Sequence, residues 1–350
     1  MNSDYLGAIL EQPDALHRAV DRYSSNDPDV VRLARNVRSN GYDRVILTGM
    51  GSSFYGFYPL WLWLNQRGIP ATMWEASELI HYAPQVISER TLLICTSQSG
   101  ESAEIRRLTL MGNRPGICVS VTNGTENTLA RWSDLPLNTW AGPEASVSNK
   151  TYVTALAVLH LLGCQVTGED VAGAQDKLHR VGSALAGFLG NWESEQGEMA
   201  GFLETCETLV FVARGPSVAS AMTGALITAE ASKVVCAGMS SAQFRHGPLE
   251  LVREGFKAVV FAGNDDASAL NERLAREIGA YGGRVLLVTP APKAGGMPAG
   301  VVQLPIPRAE SAILPVLEIV PVQLLMIPLA RARGYVPAVF QYGGKVTTEE

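Results

Sequence analysis

The 350 residues are 47% hydrophobic and 18% charged, a balance that excludes a disordered chain and leaves length for two domains of ordinary size. A net charge of -6 excludes a general attraction to nucleic acid or to an anionic membrane surface, so any bound anion has to be held by a local site.

The chain opens with MNSDYLGAILEQPDALHRAV, which is acidic and lacks the basic and apolar regions of a secretory signal, so a cytoplasmic protein is expected. Residues 1–30 read as an N-terminal helical arm, able to cross to another subunit. Three apolar runs flanked by Gly and Ser follow: RVILTGMGSS from Arg44, TLLICTSQSG from Thr91 and GICVSVTN from Gly116. Continuous apolar runs of this kind suit parallel strands covered on both faces. Between them lie helix-length segments, FYPLWLWLNQRG and EIRRLTLMG, and a further strand is expected near Leu137. After an amphipathic connector around Gly163 to Asn191, the order repeats with TLVFVARGPS, KAVVFAGNDD and GRVLLVTPAP, offset by roughly 165 residues.

This self-similarity predicts two copies of one unit, that is, two doubly wound parallel-sheet α/β domains in tandem, each a three-layer αβα sandwich. The expected bounds are 31–190 and 191–333, followed by a tail, 334–350, without helical periodicity. Ile313 to Leu329 is the one long apolar stretch, and Pro315, Glu318, Pro321 and Pro328 mark it as a buried, proline-punctuated helix instead of a membrane span. Cys95, Cys118, Cys164, Cys206 and Cys236 are scattered, without a CxxC pair, and read as small core residues instead of a zinc or disulfide framework.

In open α/β sheets, ligands bind at the carboxyl ends of the strands, where helix N-termini present free amides. GMGSS (Gly49 to Ser53) and SQSGES (Ser97 to Ser102) both fall at such places and combine hydroxyl or amide side chains with exposed backbone N–H groups. Together they make a cradle for a dianionic phosphate. The same serines also suit plain helix caps. GMGSSF is not a dinucleotide fingerprint, because Phe54 fills the third glycine position, and SQSGES lacks the glycine a nucleophile elbow requires two residues before its serine. The corresponding turns of the second copy, ARGPS and AGNDD, have lost most of the hydroxyls, as expected if one copy binds and the other scaffolds.

GMGSS, TSQSGESAE, AEASK with FRHGPLELV, and the terminal KVTTEE together resemble the tandem sugar-isomerase-domain (SIS) family. That family includes the isomerase half of glucosamine-6-phosphate synthase and the phosphosugar deglycases and deaminases. No nucleophilic cysteine follows Met1, so the resemblance is to the isomerase part standing alone. It implies a flavodoxin-like fold and places phosphate contacts at Ser52, Ser53, Ser97, Gln98, Ser99 and Ser102, with Ser148 lining the sugar pocket.

Glu230 lies near the end of a predicted helix, VASAMTGALITAEASK, rich in Ala. A carboxylate in such surroundings is held at a raised pKa, whereas at a solvent-facing helix end it is an ordinary surface acid. The resemblance makes it the base that moves a proton between C1 and C2. His246 precedes a turn-forming Gly-Pro, while His17, His81, His160 and His179 fall in helix-like segments where packing or surface roles fit better. By resemblance, His246 assists ring opening and reaches the sugar bound by the neighbouring subunit, which implies a homodimer with shared active sites. Lys345 matches a C-terminal lysine that helps open the sugar ring, although PAVFQYGG stands where many relatives carry an aspartate-proline-arginine run.

The implied function is C1/C2 proton transfer on an amino-sugar or fructosamine 6-phosphate, by a deglycase, deaminase or aldose–ketose isomerase that needs no metal and no organic cofactor. A non-catalytic sugar-phosphate-binding regulator is the alternative. No nucleic-acid or membrane partner is expected.

Overall fold

Every apolar run expected as a strand forms one. The computed structural model describes residues 5–144, 146–193, 199, 201–202, 206–292 and 295–349. Its strands are β1 (Arg44–Gly49), β2 (Ala71–Glu75), β3 (Thr91–Thr96), β4 (Ile117–Thr122), β5 (Leu135–Asn138), β6 (Thr208–Ala213), β7 (Val235–Ser240), β8 (Lys257–Phe261), β9 (Arg284–Thr289) and β10 (Val301–Pro305). They form two five-stranded, all-parallel sheets, ordered β2-β1-β3-β4-β5 and β10-β9-β8-β6-β7. Read from the matching edges the two orders are the same, so the duplication is real, and 2-1-3-4-5 is the flavodoxin-like doubly wound order.

The chain divides into two compact units. An N-terminal unit holds 12–144, 150–182 and 342–350, so the last residues of the chain pack with the first sheet. A C-terminal unit holds the described residues of 1–11, 145–149 and 183–341.

In the N-terminal unit, β3 and β4 are buried along their whole length, and β1 at every residue but Arg44. Ile46, Leu93, Cys95 and Cys118 face Leu79, Ile105, Leu108 and Leu129 on one side of the sheet. The helix Lys150–Thr167 is nearly all buried, and Gln12–Arg22 and Pro28–Arg38 pack against it. Pro28 sits in the first turn of its helix and Asp27 caps it, accepting from the amides of Asp29 and Val30, so local chemistry fixes where this segment turns helical. Much of the segment expected as an arm is thus packed within the unit.

The C-terminal unit repeats the plan. Val212, Ala258, Val260, Val285 and Leu287 form the core with Leu274, Ala275 and Ile278 of the helix Ser268–Ala280. The helices Val218–Ser232 and Pro315–Ala332 pack on one another. Pro315–Ala332 is the one helix among the described residues long and apolar enough to cross a membrane, yet 83% of that window is buried inside the protein. It is a core helix, as its prolines and Glu318 suggest.

Gly51 (φ 53°) and Gly215 (φ 59°) open the turns after β1 and β6, the left-handed conformation explaining why glycine stands at both places. Two residues on, Ser53 and Ser217 occupy matching positions. Ser217 donates to Glu318 (2.8 Å), and Ser220 donates to the other carboxylate oxygen (2.7 Å). The C-terminal copy therefore places its own buried carboxylate beside its switch-point turn, which disfavours an anion there.

Candidate active site

β1 and β3 are neighbours, so the turns after them lie side by side at the carboxyl edge of the N-terminal sheet. Ser52 and Ser53 lie on the short helix Gly51–Tyr55, half-buried, and no side chain caps its start. In the next turn, Ser97 is buried and its hydroxyl accepts from the Gly100 amide (3.1 Å), while Ser99 accepts from the Glu101 amide (3.1 Å). The Gln98 carbonyl accepts from the Asn123 amide (3.0 Å), leaving its half-buried side chain uncommitted to the turn. Ser102 is the cap residue of the helix Ala103–Leu110, but its hydroxyl makes no cap bond.

The one charge in this turn is engaged elsewhere. Glu101 accepts from the Thr128 amide (2.7 Å), the Thr128 hydroxyl (2.9 Å) and Arg106 (2.9 Å), and these bonds, the Thr128 amide foremost, hold its carboxyl below the usual range. Six hydroxyl or amide side chains beside a helix start, with their carboxylate tied down, suit an incoming dianion.

Gly100 sets the turn's shape. Its φ is 66°, and an added Cβ would stand 1.9 Å from Asn127 Oδ1, the atom that caps Thr128–Trp132 by accepting from the Ala130 amide (2.9 Å). Gly100→Ala thus combines a left-handed alanine with a displaced cap, each about 1 kcal/mol. Affinity for a phosphate-bearing ligand should fall about tenfold. Calorimetric titration with a sugar phosphate beside a thermal melt checks this, and an unchanged affinity would count against the turn as the anchor.

The tail closes on the same turn. The Thr347 carbonyl accepts from the Ala103 amide (3.0 Å), and Lys345 Nζ lies 2.5 Å from Glu144 Oε2. The Glu144 side chain has no exposure, and it also accepts from the Thr151 amide (3.0 Å) and hydroxyl (2.6 Å). Glu144 thus caps the helix Lys150–Thr167 and anchors the tail lysine at once, which makes Lys345 a held, largely buried cation and not a solvated one. Sequence reasoning missed Glu144, since an acid in a short polar loop carries no signal of what folds onto it. Glu144→Ala should cost about 1–2 kcal/mol from the lost cap. It should also speed tryptic cleavage after Lys345 several-fold, read by limited proteolysis; equal cleavage would mean that the pair does not hold the tail.

The SIS domain family model matches residues 60–164. Residues 60–164 of the chain are thus similar to the SIS domain family. Over 339 residues it is 30% identical to a glutamine–fructose-6-phosphate aminotransferase (isomerizing) from Pyrococcus horikoshii, covering 95% of this chain but 55% of that protein. The chain thus spans little more than half the length of such relatives. Among solved structures, the C-terminal domain of glucosamine-fructose-6-phosphate aminotransferase from Francisella tularensis superposes with a TM-score of 0.82 at 22% identity, covering 96% of this chain and 97% of that one. A tagatose-6-phosphate ketose/aldose isomerase from Escherichia coli does so at 0.81 and 18%, covering 95% and 94%.

The remaining candidates lie in the C-terminal unit. Glu230 is half-buried on the otherwise mostly buried helix Val218–Ser232. Three residues on, Lys233 ends that helix at φ 59° and donates to the Glu230 carbonyl and to the Val339 carbonyl (3.0 Å). Burial pushes the Lys233 ammonium below its ordinary pKa while the Glu230 charge pulls the other way. Lys233 is a second residue that the sequence reading passed over. His246 follows the helix Ser241–Arg245, exposed, and precedes Gly247 (φ 142°) and the single turn Pro248–Leu251. Ser148 is half-buried, just before the helix Lys150–Thr167. The other four histidines lie on helices. Among the described residues no group of three or more His, Cys, Asp or Glu is disposed to hold a metal ion.

Proposed function

We propose that this chain is a phosphosugar-processing enzyme that moves a proton between C1 and C2 of an amino-sugar or fructosamine 6-phosphate. The observation that carries this reading is the paired turn at β1 and β3, whose hydroxyls and amides surround a helix start while its carboxylate is bonded away. Ser52, Ser53, Ser97, Gln98, Ser99 and Ser102 bind the phosphoryl group, and Ser148 contacts the sugar. Anchoring the phosphate lets remote binding energy assist the reacting carbons.

Glu230 takes the proton from one carbon of the pair and returns it to the other through an enediol or enolamine, His246 serves the ring and hydroxyl oxygens, and Lys345 assists ring opening. With an amine on the substrate, the same proton movements give an imine, and one water hydrolyses its C=N bond: a fructosamine 6-phosphate and water give glucose 6-phosphate and the amine, and glucosamine 6-phosphate and water give fructose 6-phosphate and ammonia. Deglycation or deamination ranks above simple isomerisation. The working unit is a homodimer in which His246 serves the partner's sugar.

The test is incubation with a panel of fructosamine and amino-sugar phosphates, assayed for released amine and for ketose or aldose phosphate. Amine release is the expected outcome; aldose–ketose interconversion alone would make the chain an isomerase, and binding without conversion a regulator.

A further inference from the structure

At the carboxyl edge of the N-terminal sheet, one acid beside the phosphate turns has no partner. Glu75 is the last residue of β2, and the register sets it against Gly49, where the β1 turn begins. It is exposed, and among the described residues it makes no hydrogen bond and no ion pair. It stands at the cap position of the helix Ala76–Tyr82, yet its side chain accepts no cap bond. Glu101, in the neighbouring turn, is by contrast bonded to Thr128 and Arg106.

Successive residues of a strand face opposite sides of the sheet. Trp74 packs against the cluster that holds Leu79, Ile105 and Leu108, so Glu75 lies on the other face. Tyr55, at the end of the short helix Gly51–Tyr55, is its neighbour there: burial first and the Glu75 charge second hold the Tyr55 phenol above its ordinary pKa. The Tyr55 hydroxyl also makes no hydrogen bond among the described residues.

The strand order adds a direction. β2, β1 and β3 lie side by side, which puts Glu75 two strand spacings, about 10 Å, from the β3 turn. A six-carbon sugar phosphate gripped at the β3 turn and laid across the β1 turn brings its first carbons to this place. On the opposite side, the Asn123 side chain after β4 is already bonded to the Gly142 carbonyl (2.8 Å) and the Ala141 amide (3.1 Å). At its first carbons an amino sugar differs from a neutral one by a charge, because an aliphatic amine is mostly protonated near pH 7. A solvated surface acid needs no particular neighbour. An unpaired carboxylate and a free phenol at this reach from a phosphate cradle are what an ammonium group requires.

We propose that Glu75 and the Tyr55 hydroxyl bind the substrate's ammonium group and so select amine-bearing over hydroxyl-bearing sugar phosphates, a role that rests on the proposed reading of the phosphate turns. One ammonium N–H donates to Glu75 and another to Tyr55 Oη. Neither residue takes part in the proton transfer.

Two alcohols without a carbonyl, 2-amino-2-deoxyglucitol 6-phosphate and glucitol 6-phosphate, cannot turn over and differ only in ammonium against hydroxyl. In calorimetric titration at neutral pH, the full chain should bind the amino compound about tenfold more tightly. Glu75→Gln should bring the two affinities within about twofold of each other while that for glucitol 6-phosphate moves less than about twofold, and Tyr55→Phe should reduce the preference about threefold. Binding of neither compound would remove the phosphate turns and this role together. Equal binding of both, a preference that survives Glu75→Gln, or an equal loss of both in that variant would overturn this role alone.

Discussion

Glu230→Gln is expected to lower turnover by about 10²–10⁴-fold while phosphosugar affinity stays within a few-fold. The amide keeps the shape of the carboxylate but cannot accept and return a proton, and the half-buried position on Val218–Ser232 tolerates a neutral side chain of equal size. Lys233 remains fixed to the carbonyls of residues 230 and 339, neither of which the substitution touches. The loss should therefore fall on kcat, with affinity measured separately by calorimetry. Full activity in this variant would refute the assignment of the base.

A second large effect is expected in stability. Glu318 has no exposure, and burial, partly opposed by the hydroxyls of Ser220 and Ser217, raises its carboxyl from an ordinary 4.5 to about 7, with Asp265 adding to the rise. Because the folded pKa lies above the unfolded one, the protonated form contributes stability that is complete below about pH 4.5 and lost as pH rises through about 7. The span corresponds to a contribution on the order of 3 kcal/mol. Glu318→Gln removes this titration and keeps a polar group between the two serines. Denaturant unfolding from pH 5 to 8 should show wild-type stability falling where the variant's is flatter, the variant being the more stable at pH 8. Parallel curves would show that Glu318 is not the titrating group.

The fold was legible wherever a strand is buried on both faces. RVILTG, TLLICT and ICVSVT, with their counterparts TLVFVA, KAVVF and RVLLVT, are near-continuous apolar runs, and all six are strands in the interior of their sheets. The edge strands β2, β7 and β10 went unread because each is partly open to solvent: ATMWE and VCAGMS alternate buried or half-buried with exposed residues too briefly to distinguish them from loop. β10, VVQLP, is half-buried at three of five residues and ends on a proline.

The candidate site divides by the same logic. Hydroxyl clusters directly after apolar strands are local signals, so the two turns could be found from sequence. Glu144 acquires its role only when Thr151 and Lys345 fold onto it, and Lys345 lies 201 positions away. Lys233 carries no sequence signal beyond its place at a helix end, and only the packing around it shows that its ammonium is partly desolvated beside Glu230.

The central claim is that the N-terminal turns grip a phosphoryl group while Glu230 moves a proton at C1 and C2. Running the reaction in heavy water with a fructosamine 6-phosphate and with glucosamine 6-phosphate, and reading the sugar products by mass spectrometry and NMR, tests both halves at once. The account predicts deuterium on a carbon of that pair, lost in Glu230→Gln, and a KM raised by Ser99→Ala. Tight binding of either compound without carbon-bound deuterium, or exchange that persists in Glu230→Gln, would contradict it.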